Sequence, residues 1–101
     1  MEEKWLGTDP KIRVNLQCTG FDMFDDNFSV DIRCGKNVKT YPKSNAAWVT
    51  DEDGNYYLCL NGEDLSGLVT MVATLYVPDE DFVGGIRKEV VKKDLFNLKK
   101  P

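Results

Sequence analysis

The sequence contains no histidine, and this absence removes the residue on which most nucleophilic and general-base sites depend. Ser-His-Asp and Cys-His arrangements are therefore excluded. Cysteine is scarce as well, and Cys18, Cys34 and Cys59 are too far apart to form a C-x-x-C metal or redox motif. No glycine-rich loop opens a helix, so a phosphate cradle has no support. We expect no enzyme activity, no cofactor and no bound metal ion.

Long apolar runs are also missing. None approaches the ~18 residues that a membrane-spanning helix needs, and the first four residues lack the apolar stretch of a signal peptide. The three cysteines lie in strand-like apolar patterns, which predicts buried free thiols and a reducing compartment. One disulfide plus one free thiol is the alternative. We expect a protein made in the cytoplasm and no membrane partner.

Charge is unevenly distributed along the 101 residues, whose net charge is −4. Residues 1–85 have a net charge of −8, and residues 86–101 have a net charge of +4. Because the acidic part repels nucleic acid, we expect no nucleic-acid partner. The basic end either pairs with an acidic surface or keeps a terminal segment solvated.

Apolar residues recur at every second position in short segments, which is the pattern of half-buried β-strands. Turn signals separate these segments every 8–12 residues or so, and no segment has a long helical stripe. This predicts an all-β fold, an antiparallel β-sandwich of about seven to eight strands that is immunoglobulin-like or jelly-roll-like. The expected strands are residues 11–18, 28–34, 38–41, 46–50, 56–60, 68–77 and 86–91.

The predicted domain organisation has three parts. Residues 1–10 form an N-terminal arm or a short edge segment, residues 11–91 form the sandwich, and residues 92–101 form a C-terminal tail of strand or single-turn type. Trp5 docks the arm either onto this domain or onto a neighbouring subunit.

Three acidic clusters are candidates for a cation site: Asp22-x-x-Asp25-Asp26, Asp51-x-Asp53-Gly54-Asn55 and Asp79-Glu80-Asp81. The second begins like a calcium loop but lacks the later glutamate, and a hairpin turn explains it without a metal. Paired carboxylates also occur in glycosidases, although acids in the loops of a small sandwich are usually solvated. A surface patch among the strand aromatics Trp48, Tyr56, Tyr57 and Tyr76 would instead favour carbohydrate binding.

Three motifs suggest a family. They are Asp26-Asn27-Phe28 at the start of an early strand, Leu65-Ser66-Gly67-Leu68-Val69 before the longest strand, and Val77-Pro78-Asp79-Glu80-Asp81-Phe82 followed by Gly84-Gly85 and a basic segment. Over residues 11–96 the chain resembles small β-sandwich modules in the virions of tailed bacteriophages of gut anaerobes. In those proteins the module resembles the N-terminal attachment domain of baseplate or fibre proteins.

The resemblance implies a non-enzymatic virion structural protein, an adaptor or base component that attaches a head or tail fibre to the capsid or tail. It also implies assembly in the host bacterial cytoplasm, a homo-oligomer (dimer or trimer) and contacts with other virion proteins. Attachment modules join through strand edges and apolar patches. The candidate partner-binding residues are Trp5, Leu6, Val90, Val91, Leu95, Phe96 and Leu98. They either pair with another subunit or close this domain's own sheets. A carbohydrate-binding β-sandwich module is the alternative function.

Overall fold

A computed structural model describes residues 2–101, and its strands form two packed sheets. The strands are β1 (Glu2–Trp5), β2 (Lys11–Val14), β3 (Asn27–Cys34), β4 (Asn37–Pro42), β5 (Trp48–Thr50), β6 (Tyr56–Cys59), β7 (Gly67–Pro78) and β8 (Ile86–Lys99), with a 3-10 turn at Gly62–Asp64. The larger sheet has the order β1-β8-β7-β3-β4, and the smaller sheet has the order β2-β6-β5. The predicted all-β sandwich is confirmed, with eight strands in the described residues.

The long β7–β8 hairpin forms the middle of the larger sheet. Buried and less buried residues alternate along β7, because apolar side chains occupy every second position there. The loop after Pro78 is closed by a hydrogen bond from the backbone N–H of Asp79 to the carbonyl of Gly85. Gly84 and Gly85 have φ angles of 86° and 74°. Residues other than glycine rarely adopt this backbone conformation. These two glycines therefore allow the bend between β7 and β8.

Apolar side chains from both sheets form one core between them. Phe28 of the larger sheet contacts Trp48 and Tyr56 of the smaller sheet edge to face, with ring centroids 5.1 Å and 5.7 Å apart. The indole N–H of Trp48 donates to the carbonyl of Tyr41, which satisfies its polar atom. In the described chain the core contains no buried polar or charged residue. Burial of apolar area is thus the main force that holds the two sheets together.

Two strands differ in length from the sequence prediction. β2 ends at Val14, short of Cys18, because its partner β6 begins at Tyr56, directly opposite Val14. β8 runs to Lys99, past the expected end at Val91, because β7 pairs with it as far as Leu98. Residues 92–101 are therefore largely the second half of a core strand, and the expected tail boundary at residue 91 is wrong.

The N-terminal segment is attached to the body at two places. β1 pairs in parallel with Phe96–Lys99 of β8 and forms one edge of the larger sheet. Further on, the Asp9 carboxylate accepts a hydrogen bond from the N–H of Gly62. A Cβ atom on Gly62 would collide with the backbone carbonyl of Thr8, so glycine is required for this close approach.

The three cysteines are free but differ in exposure. Cys34 is buried, Cys18 is partly buried and Cys59 is exposed. The prediction of three buried thiols is therefore wrong for Cys59. That residue lies opposite Lys11, on the face of the smaller sheet that is turned away from the core.

Candidate interaction surface

The most prominent unpaired feature of the molecule is one side of β8. β7 pairs with β8 along nearly its whole length, whereas β1 pairs only with Phe96–Lys99 on the other side. In the part of the chain that the structure describes, no backbone is hydrogen-bonded to that side of residues 86–94. We call this segment the open edge. Its nine residues span about 30 Å, and its N–H and C=O groups can pair with another strand.

A β-bulge at Leu95 separates the open edge from the core end of β8. Thr70 lies opposite Asp94 and Val69 lies opposite Phe96, so Leu95 has no partner on β7. Because of this extra residue, even-numbered side chains of β8 point to one face of the sheet before Leu95 and to the other face after it. Even-numbered residues of the open edge lie opposite the less buried positions of β7, whereas Phe96 lies opposite fully buried Val69.

The structure separates the predicted partner-binding residues into two groups. Trp5, Leu6, Val90 and Val91 are all more than one-third exposed, and Val90 is 64% exposed. Phe96 and Leu98 are buried in this chain's own core, and Leu95 packs against that core. The prediction is therefore wrong for Phe96 and Leu98, because the bulge turns both side chains inward and leaves nothing for a partner to contact.

The outer face of the larger sheet, turned away from the smaller sheet, carries further exposed apolar side chains. Its residues on the hairpin are the even-numbered positions of β7 and of the open edge. Val90 lies opposite Thr74, and the diagonal neighbours Val72 and Tyr76 are on the same face. Leu68 and Ile86 are each more than 40% exposed. The alternation in the sequence contained this signal, since these residues occupy the positions between the core residues.

Exposed apolar side chains also occur in two loops that are not among the segments predicted to bind a partner. Phe24 is 78% exposed, and Phe82 and Val83 are exposed in the loop of the β7–β8 hairpin. Both loops lie at the same end of the larger sheet, because β3 begins opposite Tyr76, close to the end of β7. Apolar residues among acidic neighbours at Phe24 and Phe82 were the available signal.

The open edge is basic. Arg87, Lys88, Lys92 and Lys93 lie on it together with Glu89 and Asp94. Within the chain, Arg87 forms ion pairs with Asp79 and Glu89, and the Asp94 carboxylate accepts from the Thr70 hydroxyl at 3.1 Å. Charged side chains on an edge strand oppose pairing with arbitrary strands, so this edge is selective about what it accepts.

The Asp51 cluster is a hydrogen-bonded turn. The Asp51 carboxylate accepts from the backbone N–H groups of Asp53 and Asn55, the Asn55 side-chain amide and the Tyr57 hydroxyl, at 2.9–3.1 Å. The bonds from Asn55, side chain and then backbone, lower the pKa of Asp51 to about 2. The bond to this carboxylate raises the pKa of Tyr57. Both carboxylate oxygens are used within the turn, as the hairpin interpretation predicts.

The other two acidic clusters use their carboxylates in the same local way. Asp22 accepts from the N–H of Phe24, Asp26 accepts from the N–H of Asp22, and Asp79 accepts from the N–H of Asp81. Among residues 2–101, no three cysteine, aspartate or glutamate side chains are grouped as metal ligands. The same residues include no helix with the length and apolar character that a membrane crossing needs.

The strand aromatics do not form one surface patch. Trp48 and Tyr56 point into the core, where they contact Phe28. Tyr57 belongs to the smaller sheet and Tyr76 to the larger one. The structure therefore does not bring these four residues together as a platform for sugar rings.

Comparison with known protein families, curated proteins and solved structures found no match for this chain. The open edge and the outer face are thus interpreted from their own chemistry.

Proposed function

We propose that this chain is a non-enzymatic assembly module that joins protein subunits through the open edge of β8. The observation that carries the proposal is the edge itself, nine residues long and unpaired within the described chain, with Val90 and Val91 exposed beside it. Main-chain hydrogen bonds along such an edge supply affinity, and the flanking side chains supply selectivity. An uncovered strand of this length is a template for pairing with another chain, and its charged side chains limit which chains can pair with it.

The specific role we propose is that of an adaptor or base component that attaches a fibre to the capsid or tail of a tailed bacteriophage. The support is the resemblance of the three sequence motifs to virion modules. Two of these motifs flank β7, the strand that holds β8 in place, and the third begins β3. Partners are accordingly other virion proteins, and the location is the virion, after assembly in the host cytoplasm.

The test replaces an exposed valine of the open edge by lysine. The variant chain is produced while the phage particles assemble, so that its incorporation can be measured. Val90→Lys adds a charge beside the basic residues of the edge and removes no core side chain, because Val90 is 64% exposed. The matched control is Val38→Lys, since Val38 is 56% exposed on β4, at the opposite edge of the same sheet. Both variants should fold with stabilities within about 0.5 kcal/mol of the parent.

We expect mass spectrometry of purified particles to detect the parent chain and Val38→Lys, and to show Val90→Lys reduced at least about tenfold, which is roughly 1.4 kcal/mol of lost affinity. Absence of the parent chain from particles would refute the virion role. Normal incorporation of Val90→Lys would refute docking through the open edge.

Carbohydrate binding remains the alternative function. It requires a patch of exposed aromatic side chains, and the separation of Tyr57 from Tyr76 on two sheets weighs against it. Retention of a monomeric parent chain on polysaccharide, and loss of that retention in Tyr57→Ala or Tyr76→Ala, would favour this alternative over assembly.

A further inference from the structure

We infer that the partner of the open edge is a second copy of this chain, paired antiparallel with Val91 opposite Val91. The inference rests on the proposed role of the open edge in assembly and adds the identity and register of the partner. A two-fold axis perpendicular to the sheet would then join two five-stranded sheets into one ten-stranded sheet. The order of charged residues along positions 86–94 favours this register over the others.

Geometry first limits the number of registers. In such a pair, one residue of β8 lies on the two-fold axis, and residues equally distant from it on either side face each other. β1 occupies the same side of β8 from Phe96 onward, so pairing is confined to the open edge. If at least seven residues of each copy are paired within residues 86–94, the axis passes through Glu89, Val90 or Val91.

Charge then distinguishes these three registers. With the axis at Glu89, that carboxylate faces its own copy, and none of the flanking pairs joins opposite charges. With the axis at Val90, Lys88 faces Lys92, and Arg87 faces Lys93. Each of these contacts occurs twice, and all four are repulsive, since like charges directly opposite one another destabilise a sheet.

The axis at Val91 gives the opposite result. Lys88 faces Asp94 of the second copy, and Glu89 faces Lys93, so the dimer gains four opposite-charge pairs. Lys88 and Asp94 lie on the outer face, while Glu89 and Lys93 lie on the other face, opposite buried Leu75 and Met71 of β7. Val91 faces Val91, which covers a side chain that is 39% exposed in the single chain.

The single chain leaves Lys88 and Asp94 available, whereas Glu89 already pairs with Arg87 and would share its carboxylate between Arg87 and Lys93 of the second copy. Asp94 accepts from the Thr70 hydroxyl with one carboxylate oxygen, and a carboxylate has capacity for further donors. Lys88 extends over the Tyr76 ring at 6.0 Å, on the same outer face as Asp94. The backbone supplies most of the affinity, and the four charged pairs select the register, so dimerisation should weaken as the salt concentration rises.

The first test is a charge-reversal cycle on the full-length chain, measured by sedimentation equilibrium at low salt. Lys88→Glu and Asp94→Lys each replace two attractive pairs by two repulsive ones, so we expect each variant to raise the dimer Kd at least about tenfold. The double variant Lys88→Glu/Asp94→Lys restores both pairs and should return to within about threefold of the parent. The double variant restores affinity only if both strands of the pair are copies of this chain, because only then do both substitutions occur on each side of the pair.

Lys92→Glu is the matched control, because it makes the same charge change on the same face of β8. With the two-fold axis at Val91, the new glutamate lies opposite Val90 of the second copy, and we expect a smaller effect on the dimer Kd than that of Lys88→Glu. With the axis at Val90, the new glutamate would lie opposite Lys88 of the second copy and would tighten the dimer. A tighter Lys92→Glu dimer, or a double variant that remains weak, would overturn the proposed register.

A second test does not depend on charge. A cysteine on the two-fold axis lies opposite its own copy with Cβ atoms about 4.5–5.5 Å apart, close to what a disulfide needs. In a Cys18→Ser/Cys59→Ser background, Val91→Cys should form a covalent dimer on mild oxidation at least about tenfold faster than Val90→Cys, whose copies are offset diagonally by about 7–8 Å. Equal rates would contradict the axis at Val91.

The outcomes separate this inference from the proposed function. If the parent chain is monomeric at all concentrations while Val90→Lys is lost from particles, self-pairing fails and the edge has a different partner. If the charge cycle and the Val91→Cys cross-link both succeed while Val90→Lys enters particles normally, the dimer stands and docking through this edge fails.

Discussion

At the scale of single residues, the structure shows how one carboxylate organises a turn. Asp51 accepts four hydrogen bonds, and three of the donors come from Asn55 and Tyr57. The sequence motif Asp-x-Asp-Gly-Asn predicted a tight hairpin turn at this place. It did not predict the contribution of Tyr57, because that contact depends on the direction in which β6 leaves the turn.

The lowered pKa of Asp51 gives a pH-dependent stability with a defined sign. Because the folded value of about 2 lies below the usual 3.8, the contribution is fully present above about pH 4. It is lost as the pH falls through the folded pKa near 2. We expect Asp51→Asn to remove this part of the acid dependence of unfolding, and carboxyl NMR titration of the parent to give the low pKa.

Asp53→Asn is the control for this prediction. Asp53 contributes its backbone N–H to the turn, and its substitution leaves the four bonds to Asp51 intact. Its acid-unfolding curve should therefore retain the decrease in stability between about pH 4 and pH 2. An Asp51 pKa near 4 in the NMR titration would contradict the hydrogen-bonding scheme.

At the scale of secondary-structure elements, the bulge in β8 decides which side chains are available for partners. In a ladder that kept Leu95 but had no bulge, Leu95 would lie opposite Val69, and the even-numbered residues Phe96 and Leu98 would share the outer face with Val90. A single extra residue lets one strand serve as an open edge at one end and as part of the core at the other.

Deletion of Leu95 should therefore be tolerated. It removes the bulge but leaves Asp94 opposite Thr70 and Phe96 opposite Val69, so Phe96 and Leu98 stay in the core. The deletion and Leu95→Ala remove the same partly buried side chain, and we expect each to lose about 1–2 kcal/mol in chemical unfolding. A loss of about 3 kcal/mol or more in the deletion alone would show that Phe96 and Leu98 do not keep this register to β7.

At the scale of the whole molecule, the hairpin gives the domain an elongated shape. A compact domain of this length has a radius of gyration of about 13 Å, whereas this chain has 14.7 Å and extends over 50 × 32 × 22 Å. The larger sheet has five strands and the smaller sheet has three, so the smaller sheet leaves part of the larger one uncovered. Val91 illustrates this, because it remains 39% exposed although it lies opposite fully buried Ala73.

The closure of the two sheets can be tested through the thiols. Cys34 is buried at the end of β3, where its sulfur lies 3.6 Å from the carbonyl oxygen of Asp64, whereas Cys59 is exposed. We expect a thiol reagent to modify Cys59 within seconds to minutes and Cys34 only through global unfolding, so that denaturant accelerates the second reaction by orders of magnitude. Cys59→Ser is the control that removes the phase of Cys59, and both measurements use a Cys18→Ser background because Cys18 is free and only partly buried. Rapid native labelling of Cys34 would mean that the sheets do not close over this position.

The sequence by itself determined the all-β sandwich, most strand positions and the turn at Asp51. These follow from alternation and turn chemistry, which act between near neighbours in the chain. Only the tertiary structure decided that β8 continues to Lys99, that Phe96 and Leu98 face inward, that Val90 and Val91 are exposed, and that one side of residues 86–94 is unpaired in the described chain. Those properties depend on which strand lies beside which, and pairing between distant segments leaves no local signal in the sequence.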